Sequence, residues 1–196
     1  VDVKDSRAED LEVIRFRYPE RLREQGGNIG LIKNVVSRKY DVVVIPELTK
    51  EVLLDNVPAL AAKKTRTVGG EELPEISGED LYAFLQEAAS RLKAGGALLL
   101  AADNLSALKY MTGADPEGDR VYAEYEELSE ITGHLGFADR KWYYPLPDNR
   151  LTKDIFSDAY LPGEGDFRGI SEAYDAPRYL LCDEEAMYGK LCRNHA

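Results

Sequence analysis

Two short apolar runs organise the pattern of the chain. Residues 40–45, Tyr-Asp-Val-Val-Val-Ile, and residues 97–102, Ala-Leu-Leu-Leu-Ala-Ala, are nearly unbroken apolar stretches. Runs of that length fit strands covered on both faces of a parallel sheet. Between them, residues 77–93 read as the clearest helix. Ser77 stands as N-cap with Asp80 three residues on, a variant of the capping box. Leu81, Phe84, Leu85, Ala88 and Leu92 fall on one face, and Gly95-Gly96 supply left-handed positions to end it.

The remaining elements are read the same way. Residues 10–17 place Leu11, Val13, Ile14 and Phe16 in an alternating pattern and predict a strand. Pro19 fits the first turn of a short helix over residues 20–25, closed by Gly26-Gly27. Residues 28–37 are ambiguous, with a helix one of their readings. Residues 51–63 carry apolar positions at 53, 54, 57, 60 and 61, a helical spacing that Pro58 interrupts. Residues 65–75, with glycines, a proline and charges, read as a loop. A helix is expected over about residues 122–134, closed near Gly136, and a strand over residues 138–144. Residues 145–169 are rich in Pro, Asp and Gly and predict a long structured loop. A last helix is expected over residues 184–193.

Strands separated by helices predict an α/β fold with an open, twisted, mostly parallel sheet and flanking helices, possible to read as incomplete. The 196 residues suit a single domain, with a loop extension at about 145–180. Ligands in such sheets lie beyond the carboxyl ends of the strands. Pro46-Glu47 and Asp103-Asn104 follow the two apolar runs, so these polar residues are the first place to look for a site.

Charge narrows the partners. The net charge is −11, and the longest basic run is Lys63-Lys64-Thr65-Arg66. A polyanion is repelled by that average field, so nucleic acid is not an expected partner. No stretch reaches the roughly 18 apolar residues of a membrane span. The opening Val-Asp-Val-Lys-Asp lacks the basic end and apolar run of a signal peptide. Cys182 and Cys192 are the two cysteines, too few for a disulfide framework. A cytoplasmic location is the expectation. No Cys/His cluster suggests zinc, and neither a G-x-S-x-G elbow nor a Walker loop is present.

The segments LKAGGALLLAADNLSALKYMTGADPEGD and WYYPLPDNRLTKDIFSDAYLP, with YDVVVIPE, resemble class I S-adenosylmethionine-dependent methyltransferase-like domains over about residues 38–185. The branch they resemble accompanies bacterial surface-polysaccharide and glycosyltransferase genes. The first segment is similar to the fourth helix, fifth strand and following loop of that family, and YDVVVIPE to its fourth strand. The G-x-G cofactor loop of the family is not found here. Gly26-Gly27-Asn28-Ile29-Gly30 is the early glycine cluster, and it does not directly follow a strand.

The resemblance implies S-adenosylmethionine as cofactor and a small-molecule or sugar-type acceptor. It places Glu47 and Asp103 as catalytic candidates, and Asp2, Pro46, Glu47 and Asn104 as cofactor-binding candidates. Tyr110, Tyr143 and Tyr144 are the substrate-binding candidates, because aromatic faces stack on sugars. Methyl transfer itself asks little of the protein: alignment of donor and acceptor, and at times removal of a proton. Bland readings stand beside these. Glu47 also reads as a helix-start charge, Asn104 as a helix cap, and the tyrosines as packing residues. His134 reads as a helix-end histidine, and no metal site is expected. The alternative function is a degenerate, non-catalytic module for assembly or glycan binding. An unfinished sheet has open edges, so a homodimer or a glycosyltransferase partner is expected.

Overall fold

The computed structural model describes residues 2–4, 16, 23–25, 39–57, 65–68, 71–74, 76–111, 115–116, 118–146, 149, 152–163 and 166. The strands are β1 (Asp2–Lys4), β2 (Arg23–Gln25), β3 (Tyr40–Ile45), β4 (Thr65–Val68), β5 (Glu71–Pro74), β6 (Leu92–Leu100), β7 (Tyr143–Leu146) and β8 (Asp154–Ser157). The helices are α1 (Lys50–Asn56), α2 (Gly78–Ser90), α3 (Leu108–Met111) and α4 (Tyr125–His134). The fold is mixed α/β. In place of one open sheet, the described strands form four pairs: β1–β2 and β3–β6 parallel, β4–β5 and β7–β8 antiparallel. They belong to two compact units, Val1–Ala102 with Gly118–Tyr122, and Asp103–Glu117 with Ala123–Ala196.

The two apolar runs do lie side by side in the first unit. β3 and β6 are parallel, with Val43 opposite Leu98, Val44 opposite Leu99 and Ile45 opposite Leu100. The Ala101 amide extends the ladder by donating to Ile45 O at 2.9 Å. β6 starts earlier than expected, at Leu92, and the register slips between Tyr40 and Val42. Two steps along β3 match five along β6, so residues 93–96 loop out. Gly95 takes the left-handed φ of +74° this requires. The glycine pair therefore shapes an irregular strand rather than ending the helix, and α2 stops at Ser90 with Arg91 as its C-cap.

Among the described residues, one face of the pair is covered and the other is open. Val43 and Ile45 are buried, whereas Val42, Val44 and Leu99 are 50%, 57% and 56% exposed. The expected burial on both faces is not seen among the described residues: alternation sends successive side chains to opposite faces, and the helix packed on β6 is α2, which also contacts α1. Leu81, Phe84 and Leu85 of α2 are at most 2% exposed, each burial stabilising by about 1.5–3 kcal/mol. Asp80 Oδ2 accepts from the Ser77 amide at 2.8 Å and from Ser77 Oγ at 2.6 Å, fixing the start of α2. Leu92, expected on the helix face, is the first residue of β6 instead.

Other boundaries differ for identifiable reasons. α1 ends at Asn56, and Val57, at φ −120° and ψ 86°, has left the helical region, which the residue before a proline disfavours. Residues 65–75 hold the β4–β5 hairpin rather than a loop. Their β-branched Thr-Arg-Thr-Val and the Gly-Gly between the strands are a hairpin signal. Residues 23–25 pair as β2 rather than continuing a helix over 20–25; so short a polar helix has little stability alone. Of residues 10–17 only Phe16 is described, and it is helical and exposed. The rest of the strand expected there lies outside the described residues.

In the second unit, α4 begins at Tyr125 because Glu124 is extended, and buries Leu128 and Ile131. Gly136, at φ +80°, ends it as expected. The third expected strand shifts toward the carboxyl end, to β7, and pairs with β8 inside the segment read as a loop. Residues 138–141 are exposed. The ambiguous segment 28–37, the helix expected over 184–193, and both cysteines lie outside the described residues.

Candidate functional site

In the first unit, Pro46 and Glu47 follow the carboxyl end of β3. Leu48 is buried and begins a short extended segment that meets residues 118–122. Val121 N donates to Leu48 O at 3.0 Å, Lys50 N donates to Asp119 O at 2.8 Å, and Lys50 Nζ donates to Gly118 O at 2.6 Å. Thr49 and Arg120 face each other across this antiparallel bridge. Thr49 also caps α1, its hydroxyl accepting from Val52 N at 3.2 Å.

This bridge delivers Arg120 to Glu47. The Arg120 side chain is 3% exposed and its Nη2 donates to Glu47 Oε1, whose side chain is 36% exposed. A buried guanidinium needs an anionic or carbonyl partner, and Glu47 supplies one. Neither of the sequence readings of Glu47, catalytic carboxylate or helix-start charge, includes this ion pair. Arg120 lies 73 positions away in sequence, and nothing local announces the pairing.

In the second unit, Asp103 and Asn104 have different jobs. Asp103 O accepts from Ala123 N at 2.9 Å. Its carboxylate accepts from Lys109 Nζ at 2.8 Å, with both side chains 11% exposed. Asn104 Oδ1 accepts from Ser106 N at 2.6 Å and Asn104 O accepts from Ala107 N at 3.0 Å. That is the turn-forming role of an Asn side chain before a helix. Lys109 Nζ also stands 4.8 Å from the centroid of the Tyr110 ring, within cation–π range. Asp103 and Tyr110 therefore meet through Lys109, a residue that sequence reading missed. The Asn104–Ala107 turn and the start of α3 bring position 109 back to 103.

Tyr143 and Tyr144 are neighbours on β7 and so occupy opposite faces. Tyr143 is 62% exposed. The Tyr144 hydroxyl donates to Asp158 Oδ1 at 2.5 Å. Partial burial, and then the Asp158 carboxylate, push the Tyr144 phenol well above its ordinary range. Trp142 packs on Tyr125 with ring centroids 4.8 Å apart, an anchoring contact for α4. Asp2 lies in β1, opposite Arg23 of β2. His134 is in the last turn of α4 and exposed.

Among the described residues no helix is long and apolar enough to cross a membrane. No cluster of three or more His, Cys, Asp or Glu side chains there could hold a metal ion. No known family, curated protein or solved structure matches the chain.

Proposed function

We propose that the chain is a methyltransferase-like domain of the Rossmann-like type, taking S-adenosylmethionine as donor and a sugar-type molecule as acceptor. The observation that carries this reading is the parallel β3–β6 pair, with Pro46 and the carboxylate of Glu47 following its carboxyl end. That end is where open α/β sheets receive their ligands. A sulfonium donor is cationic, and Glu47 is a carboxylate that its ion pair with Arg120 holds in place.

A second reading has its own support. Glu47 and Asp103 are each committed to a cation, one of them Arg120, which is buried. Carboxylates held this way suit orientation better than proton removal, as in a non-catalytic module for assembly or glycan binding. Calorimetric titration with S-adenosylmethionine separates the two. The methyltransferase reading predicts micromolar binding that weakens in Glu47→Gln. No heat up to millimolar donor leaves the non-catalytic module.

A further inference from the structure

The β7–β8 hairpin continues into a second, tighter turn. Ser157 and Tyr160 exchange both backbone hydrogen bonds, Ser157 N to Tyr160 O at 3.1 Å and Tyr160 N to Ser157 O at 2.9 Å. Only Asp158 and Ala159 lie between them, so this is a closed two-residue turn. It fixes two side chains. The Tyr160 ring lies nearly parallel to that of Phe156, at 11° and 6.1 Å between centroids. Phe156 is 6% exposed and Tyr160 is 65% exposed. Asp158 accepts from the Tyr144 hydroxyl on Oδ1, and Oδ2 has no hydrogen-bond partner among the described residues.

An aromatic ring backed by a buried ring, with a pinned carboxylate two residues away, is a specific piece of chemistry. A pyranose offers an apolar C–H face to such a ring and adjacent hydroxyls to such a carboxylate. A nucleotide also offers a flat ring, but its phosphates would meet Asp158, exposed Asp154 and a chain of net charge −11. A proline-rich segment needs a groove lined by several rings, and Tyr143, the nearest exposed tyrosine in β7, is on the other face of the hairpin.

We propose that Tyr160 and Asp158 form a subsite for a neutral sugar ring, Tyr160 as the stacking platform and Asp158 as acceptor of hydrogen bonds from the sugar's hydroxyls. This deepens, and rests on, the sugar-acceptor part of the proposed function. It adds two residues to those expected from sequence, and gives Tyr144 the role of positioning Asp158.

The test is saturation-transfer NMR on the full chain with neutral methyl glycosides of glucose, galactose, mannose, rhamnose and N-acetylglucosamine. Adenosine monophosphate and a proline-rich peptide serve as competing probes. At least one glycoside should receive saturation at its ring protons. Its affinity should fall about ten-fold in Tyr160→Ala, change little in Tyr160→Phe, and weaken in Asp158→Asn. Tyr160→Phe and Asp158→Asn keep the backbone turn, and amide spectra check that each variant is folded. Absence of transfer to every glycoside, an unchanged affinity in Tyr160→Ala, or binding of the nucleotide or the peptide at Tyr160 in place of sugars would overturn the subsite. The samples contain no S-adenosylmethionine. A negative result here leaves donor binding standing, and a calorimetric failure with the donor leaves the sugar subsite standing.

Discussion

Replacing Gly96 by alanine probes the β3–β6 pair at its tightest point. A Cβ at position 96 would stand 3.1 Å from each of three carbonyl oxygens, those of Tyr40, Asp41 and Lys93. Two belong to β3 and one to the looped part of β6, so backbone rather than a flexible side chain must yield. Overpacking of this kind costs about 1–3 kcal/mol. The smaller conformational freedom of alanine in the unfolded chain returns about 0.4–1 kcal/mol. The net expectation is a loss of about 1–2 kcal/mol, or roughly 5- to 30-fold in the local opening equilibrium. Hydrogen exchange at the Ala101 amide, bonded to Ile45 O, reads that change locally, which suits a chain of two compact units. Gly95 is the control. No atom lies within 4 Å of its added Cβ, and its φ of +74° is the whole constraint. Gly95→Asn should then be milder than Gly95→Ala, since Asn tolerates the left-handed region, while Gly96→Asn should be at least as damaging as Gly96→Ala. Wild-type protection in Gly96→Ala, or the same ranking at both positions, would refute the register described for β6.

Two further outcomes follow from the polar pairs. Asp103→Asn and Lys109→Met should each destabilise the second unit, and their double-mutant cycle should show a coupling of about 1–2 kcal/mol in urea unfolding, because both side chains are 11% exposed; a coupling near zero would mean a merely solvated pair. Tyr144 should hold its proton to higher pH than an ordinary phenol, because of partial burial and then Asp158. With the folded pKa raised, the contribution to stability is fully present below the unfolded value of about 10 and is lost as pH rises beyond it. Labelled-tyrosine NMR should show Tyr144 titrating late, and earlier in Asp158→Asn; titration at the ordinary phenol value would contradict the Tyr144–Asp158 bond.

What could be read from sequence follows from how local each signal is. Residues 40–45 become β3 without a shift in either boundary, and Ser77 with Asp80 fixes the start of α2. Both depend on neighbours a few positions away. The end of α2 was less legible, because the left-handed glycine serves a strand irregularity set by β3. β8 was hidden by the Asp, Pro and Gly around its Asp-Ile-Phe-Ser, and β2 by its polar composition. Pairing across the chain decided both.

The candidate site divides the same way. That Asp103 and Glu47 follow strands is a local fact. Their partners Lys109 and Arg120 are brought by the turn at Asn104–Ala107 and by a distant bridge. Asn104 forms a turn onto the Ser106 amide before α3 instead of capping that helix. Tyr143 and Tyr144 are adjacent in a strand, so alternation alone placed them on opposite faces.

The direction and register of β3 against β6 carry the account, and pairs of cysteines test them directly. In a background without Cys182 and Cys192, Val44→Cys with Leu99→Cys, and Val42→Cys with Ala97→Cys, place each pair directly opposite on the exposed face. Adjacent strands at about 4.8 Å are within the Cα range that a disulfide tolerates. These two pairs should oxidise readily, while Val44→Cys with Ala97→Cys and Val42→Cys with Leu99→Cys should remain thiols. Cross-linking of the second set in place of the first would mean antiparallel strands, and the proposed donor end at Pro46 and Glu47 would lose its basis.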